Sequence, residues 1–281
     1  MEWHQHISGI LKINYMEKIL LAGPWVGEFG WELFCWQGYV RKLSKNYDKT
    51  IVIGRPNQKL LYEDFCDEYI DFDPKGFKTD SWSCHDCIKP NDLINKIPYT
   101  DYLDGNFDIG FRYGQNGAFD IKGLFNQQEF IKYQSNSLNC GYDIIFHCRN
   151  KSTGSDRNWE KEQWVELFNL LGDDFKIACI GNAEAFHING SDDLRGISLS
   201  DLVSVMNNSK LIIGPSSGPM HLASLSGLKH LVWSSEHNRD RYLKVWNPFN
   251  TDVIFYSNEE WNPKPKNIYN IITNELKYVE Q

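Results

Sequence analysis

Leu211-Ile212-Ile213-Gly214-Pro215-Ser216-Ser217-Gly218-Pro219-Met220-His221-Leu222-Ala223 is the stretch whose reading decides the fold. Its first four residues form a short apolar run, the pattern of a strand buried on both faces of a parallel sheet. Small residues then make a turn, and Pro219 stands where the first turn of a helix tolerates proline. Ser216 or Ser217 is placed to cap that helix, and the amides of its first turn point into the crevice at the strand ends. An anion there meets N–H donors and the positive end of the helix dipole, so the segment reads as a phosphate site.

The same residues, Gly214-Pro215-Ser216-Ser217-Gly218, match the G-x-S-x-G nucleophile elbow of a serine hydrolase. That fold needs an acid and then a histidine after the serine, but the last histidine is His237 and Glu236 is the only acid before it. Two adjacent residues do not fill both roles. The hydrolase and a plain capped core helix stand behind the phosphate site as alternatives.

Outward from this segment, strand-like and helix-like runs alternate. Strands are expected at 143–148, 176–181, 211–214 and 230–234, and helices at 161–171, 199–206 and 218–226. Nearer the N-terminus a strand ends at Ala22, a glycine loop follows, and a helix over 31–43, a strand over 50–54 and a helix over 57–65 come next. Such alternation predicts a parallel sheet with crossover helices, here in two α/β halves. The stretch 73–102, with Pro74, Gly76, Pro90 and Pro98, holds no sustained period and reads as an irregular insertion. A last helix is expected over 266–278, where Ile268, Ile271, Ile272 and Leu276 share one face. The expected divisions are 1–15 as an extension outside the fold, 16–140, 141–262, and 263–281 as the C-terminal helix.

The 281 residues suffice for about two domains. Twenty-nine Lys and Arg against 37 Asp and Glu give a net charge of -8, so no global basic field draws the chain onto nucleic acid. A mean hydropathy of -0.49 and the absence of an apolar run near the ~20 residues of a spanning helix argue against membrane contact. With no signal-peptide core and seven scattered cysteines, the expected setting is the cytoplasm, with reduced thiols.

Four blocks carry a family pattern. Ser216-Ser217-Gly218-Pro219-Met220-His221-Leu222-Ala223 matches a D-[ST]-G-P-x-H-L-A turn and helix, and Arg157-Asn158-Trp159-Glu160-Lys161-Glu162-Gln163-Trp164 matches a basic-x-W-P-x-x-x-W segment. Ile180-Gly181-Asn182-Ala183-Glu184 matches a strand with a glycine and an acid, and Gly196-Ile197-Ser198-Leu199 a G-x-[ST]-L helix entry. In this order, over 143–235, the chain resembles the heptosyltransferase-like glycosyltransferases, family 9. Ser216 stands where that family has aspartate, and Glu160 where it has proline.

The resemblance implies an α/β protein of the GT-B arrangement: two Rossmann-like domains facing across a cleft, a C-terminal helix, and the nucleotide-sugar held mainly by the C-terminal domain. It implies inverting, metal-independent transfer with no cofactor beyond the nucleoside diphosphate sugar that serves as donor. Glu28, in Gly23-Pro24-Trp25-Val26-Gly27-Glu28-Phe29-Gly30-Trp31-Glu32-Leu33, occupies the position of the family's catalytic aspartate.

Inverting transfer needs a base for the acceptor hydroxyl and positive groups for the charge growing on the diphosphate. Glu28 is the expected base, with Glu32 one turn further on in reserve; the alternative for Glu28 is a first-turn acid that stabilises its helix. Arg157 is the expected diphosphate clamp, joined by Arg149 and Lys151 and by the turn Ser216, Ser217, Gly218 and Pro219; solvated charge is the alternative for the cations. Glu184 is either a ribose acceptor or a surface acid, and His221 either a donor contact or a buried core histidine.

Cys84 and Cys87 form a lone C-x-x-C pair, short of the four ligands of a zinc site. Asp71-Phe72-Asp73 reads as a turn rather than a metal-binding D-x-D. Trp233 and Trp246 read as partly buried core or rim residues rather than as a stacking platform for a base or sugar. The expected activity is sugar transfer to an acceptor hydroxyl, with a surface glycan or lipopolysaccharide-type acceptor favoured. Virus-type transfer to hydroxymethylated DNA bases, a nucleotide-sugar epimerase or hydrolase, and a noncatalytic nucleotide-sugar-binding protein are the alternatives; the acidic balance weighs against DNA.

Overall fold

The computed structural model describes residues 16–74, 79–80, 83–84, 88–105, 127–152 and 154–277. The expected extension 1–15, Cys87 and the side chain of Cys84 lie outside the described residues. The first sheet holds β1 (Ile19–Ala22), β2 (Lys49–Gly54), β3 (Glu68–Asp71) and β4 (Asp101–Leu103), all parallel, in the order β3-β2-β1-β4. The second holds β5 (Ile144–His147), β6 (Ile177–Gly181), β7 (Asp192–Arg195), β8 (Leu211–Pro215), β9 (His230–Ser234) and β10 (Val253–Ser257), again parallel, in the order β10-β9-β8-β5-β6-β7. Each order reverses beside its own first strand, between β1 and β4 and between β5 and β8. Those reversals are the topological switch points where open α/β sheets leave a crevice at their carboxyl ends.

The helices that carry the site are α1 (29–44), α3 (Leu199–Asn207) and α4 (Gly218–Ser226); α2 (Lys161–Leu171) lies away from it, with α5 (Pro265–Lys277) packed on α2. α1 is continuous over three stretches, Phe29–Trp31, a π-helical turn Glu32–Trp36, and Gln37–Ser44. It begins two residues before the expected start, so Glu28 becomes its N-cap. α1 is also the joint between the halves. Phe34 stacks on Trp246 at 5.0 Å and 6°, and Trp31 meets the same indole edge-on at 5.1 Å, so a single apolar core runs from β1 to α4.

A second core lies under the other face of the larger sheet, where Trp159, Trp164 and Trp233 sit 4.7–5.6 Å apart with Ile268 and Ile272 of α5. Aromatic pairs of this kind add about 0.5–1.5 kcal/mol each beyond area burial. Trp233 is therefore a core residue and does not stack on a ligand.

Other expectations are corrected. Instead of a helix over 57–65 there is one 3-10 turn, Lys59–Leu61: Asn57 takes a left-handed φ of 68°, and Tyr62 turns inward to a buried partner. The stretch 73–102 is not wholly irregular, because Asp101 and Tyr102 open β4 and Asn91–Ile94 forms a helical turn. Strands β3, β4, β7 and β10 were not expected; all four are sheet edges, and β3, β4 and β7 carry charged residues in place of a continuous apolar run, whereas β10 has one from Val253 to Tyr256. Among the described residues no helix is long and apolar enough to cross a membrane.

Candidate functional site

A cleft of two adjoining lobes lies at the carboxyl ends of both sheets. The first lobe has a volume of about 180 Å³ and the second about 310 Å³, and Glu28, Gly30, Ser217 and Gly218 line both. Two helix N-termini converge there, that of α1 from the first half and that of α4 from the second. Glycine permits the approach: a Cβ on Gly218 would lie 2.7 Å from the Phe29 ring, and one on Gly30 3.1 Å from His221.

The loop that presents Glu28 is tied along its backbone. Gly23 N–H donates to the Leu103 carbonyl at 2.9 Å and Val26 N–H to that of Gly105 at 3.0 Å. The Trp25 indole donates to the Glu28 carbonyl at 3.2 Å, and Arg55 to that of Gly27 at 2.9 Å. The Glu28 side chain makes no capping bond, so its carboxylate is left to the cleft. Its charge is felt by Arg149 and Lys151 opposite.

In the second half the turn after β8, expected as a phosphate site, carries one correction. Ser217 holds the N-cap position of α4, but its hydroxyl donates to the Pro215 carbonyl at 3.0 Å instead of capping. Ser216, buried, accepts from Tyr242 at 2.8 Å and caps nothing either. Among the described residues the Gly218 and Met220 amides have no backbone acceptor, and Pro219 has no N–H to satisfy. The helix therefore presents uncapped donors to the cavity.

Arg149 and Lys151 follow β5 and line the first lobe. Arg149 is buried, donates to the Gly154 carbonyl at 2.9 Å and to the Asn158 side chain, and has its pKa pushed down to about 10 by burial and then by Arg157. Burial also lowers that of Lys151, Glu28 opposing. Arg157 lies in the second lobe with its guanidinium 5.6 Å from the Trp261 ring centre.

His221 is a buried ring stacked on Tyr242 at 4.5 Å, with Nε2 3.3 Å from the Tyr242 hydroxyl and Nδ1 unbonded. Burial, then Arg241, holds its pKa far below the usual histidine value, so it is neutral. His221 is thus a packed, buried histidine that also lines the second lobe.

Two expected residues are not brought to the cavity. Glu32 is wholly buried behind it, bonded by Tyr62 at 2.6 Å and 4.0 Å from Arg55. Glu184 points to solvent and only its carbonyl is used, by Asn150 at 2.9 Å; Asn182 lines the lobe instead. Other lining residues were not singled out as site residues, although Trp31, Ile180 and Ile197 lie within the motif blocks. Ile180, Ala185, Leu194, Ile197 and Leu202 give the first lobe an apolar floor, and Trp31, Arg241, Trp246 and Trp261 furnish the second. They come together through folding, from α1, β6, β7, α3, the helical turn Arg241–Val245 and the loops around them. Among the described residues no three His, Cys, Asp or Glu side chains gather as for a metal ion.

No protein-family model and no curated protein matches the chain. Solved structures do match it. A glycosyl transferase family 9 protein from Veillonella parvula superposes with a TM-score of 0.55 at 13% identity, over 93% of this chain and 89% of that one. E. coli ADP-heptose lps heptosyltransferase II gives 0.54 at 14% identity over 94% and 100%, and E. coli heptosyltransferase WaaC with ADP gives 0.57 at 13% over 92% and 99%. The fold is thus GT-B-like, two parallel α/β units around a cleft. Within that class its fold is like that of the family 9 and heptosyltransferase structures it matches.

Proposed function

We propose that the chain is an inverting glycosyltransferase that moves a sugar from a nucleoside diphosphate donor to an acceptor hydroxyl. One observation carries the reading: Glu28 and the uncapped first turn of α4 line the same cavity, with Arg149 and Lys151 beside them. The apolar floor of the first lobe suits a flat nucleobase. The diphosphate then lies at the α4 amides between Arg149, Lys151 and Arg157, leaving the transferred sugar and the acceptor for the tryptophan-lined second lobe.

In the reaction the acceptor oxygen attacks the anomeric carbon from the face opposite the diphosphate, and Glu28 takes its proton. The bond from the anomeric carbon to the phosphate oxygen breaks, and its electron pair stays on the diphosphate. Amides and guanidiniums already in place stabilise that growing charge with little reorganisation, so the protein itself supplies the positive charge the leaving group needs. A positioned base contributes typically ~10²–10⁴ in rate. Two of the similar structures are heptosyltransferases and one holds ADP. That analogy of fold puts ADP-sugars first among donors and a surface or lipopolysaccharide-type glycan first among acceptors.

The test is thermal stabilisation by ADP, UDP and GDP and their sugars. A ligand at 100 times its dissociation constant adds about 2.7 kcal/mol. One selective nucleotide is expected, retained in Glu28→Gln while transfer falls by ~10²–10⁴. No shift with any nucleotide in a folded protein would sink the reading.

A further inference from the structure

Behind Glu28 lies a buried polar group that the transfer chemistry above does not use. Arg55 follows β2 at the carboxyl end of the first sheet, next to the loop after β1. Its Nη2 donates to the Gly27 carbonyl at 2.9 Å, and its Nη1 stands 4.0 Å from Glu32 Oε2. Tyr69, at the sheet edge, donates its hydroxyl to the Arg55 carbonyl at 2.8 Å and so fixes the arginine's own backbone. Glu32 in turn accepts from Tyr62 at 2.6 Å and has no solvent contact. The chain of contacts thus runs from Glu32 through Arg55 to the peptide that carries the base.

We propose that Arg55 is a positioning residue for the transfer: it fixes the Gly27–Glu28 peptide, and the charge on Glu32 sets how firmly it does so. The inference rests on Glu28 being the base, as argued above. Arg55 never meets substrate in this scheme. It acts by holding a carbonyl, because a carboxylate on a loose loop spends little time in reach of the acceptor proton.

Glu32 is the variable element. It is faced by Arg55 from the end of β2, by Gln58 and Tyr62 around the turn Lys59–Leu61, and at longer range by Tyr69 of β3 and Tyr133. Burial drives its pKa up to about 7, with Arg55, Tyr62 and Gln58 opposing. Since Arg55 favours the ionised form of Glu32, the ionised form by linkage favours Arg55 in place. Raising the pH through about 7 therefore tightens the hold on Gly27.

Native-state amide hydrogen exchange reads this without any substrate. In the native loop the Trp31 and Glu32 amides donate to the Glu28 carbonyl at 3.1 and 3.0 Å and report its order. In Arg55→Gln, protection over residues 26–32 is expected to fall by about tenfold to a hundredfold, the weight of a hydrogen bond from a charged donor, while β5 and β8 keep theirs. Arg55→Lys, which retains a charged donor, restores part of it. In the native protein the protection factor of this segment, corrected for intrinsic exchange, rises with pH around 7; in Glu32→Gln that rise is absent. A folded Arg55→Gln with native protection over 26–32, or a pH rise that persists in Glu32→Gln, overturns the proposal. If Arg55→Gln does not fold, the Arg55→Lys and Glu32→Gln arms decide alone. A loop that behaves as expected in a protein that binds no nucleotide would leave the clamp standing and remove the transferase reading; the converse would remove only the clamp.

Discussion

Replacing Glu32 by glutamine removes a carboxyl that folding places out of reach of water, and the cost of that placement is calculable. Burial raises its pKa from 4.5 to about 7. A carboxyl whose pKa is higher in the folded than in the unfolded chain binds protons more tightly when folded. Its contribution is therefore fully present below pH 4.5 and lost as the pH rises through about 7. The whole loss is about 3 kcal/mol, with about 2.5 kcal/mol falling between pH 5 and pH 8. Glutamine keeps the acceptor for Tyr62 and does not titrate. Urea unfolding of both proteins at pH 5, 6, 7 and 8 isolates the group, because every other titration cancels in the difference. Relative to the native protein, Glu32→Gln should gain about 2–3 kcal/mol over that span. Parallel pH profiles would show that Glu32 is hydrated in solution, and with that the buried Glu32–Arg55 contact would be lost as an explanation of anything.

Arg157→Ala is expected to weaken nucleoside diphosphate binding by about tenfold to a hundredfold, the loss of a charge-assisted hydrogen bond; calorimetry with an unchanged affinity would move the diphosphate elsewhere. Gly218→Ala places a methyl 2.7 Å from the Phe29 ring, so it should cost about 1–3 kcal/mol in thermal unfolding and loosen the junction of the two lobes. His230, buried with its pKa pushed down to about 4, stays neutral in the fold and charges when unfolded; stability present above pH 6.5 is lost as the pH falls toward 4, and His230→Gln should flatten that acid limb.

How much was legible varies by element. Continuous apolar strands β1, β2, β5, β6, β8 and β9 were readable because a strand buried on both faces must be apolar at every position. The Ser217–Pro219 turn was readable because proline in a first helical turn and small residues at a close approach are local requirements. Edge strands β3 and β7 were not, since one side of each is free of such demands and charged residues interrupt the run; β10, Val253-Ile254-Phe255-Tyr256, met the same criterion as the central strands. The helix expected over 57–65 failed for a tertiary reason: Tyr62 is drawn inward to Glu32, thirty residues away in the chain.

Local sequence alone determined that two α/β units alternate and that a small-residue turn opens a helix after β8, because both follow from side-chain periodicity and backbone requirements within a few residues; that this helix is left uncapped was decided by the contacts of Ser216 and Ser217. Which charges share a cleft is set by distances across the fold. Glu28 and Glu32 lie four residues apart on one helix start, yet packing leaves the first facing the cavity and encloses the second against Arg55 and Tyr62. Glu184 was displaced in favour of Asn182, and three tryptophans from α1 and two distant loops met in one lobe, because the closing of one sheet against the other, and no local preference, decides which side chains face the same space.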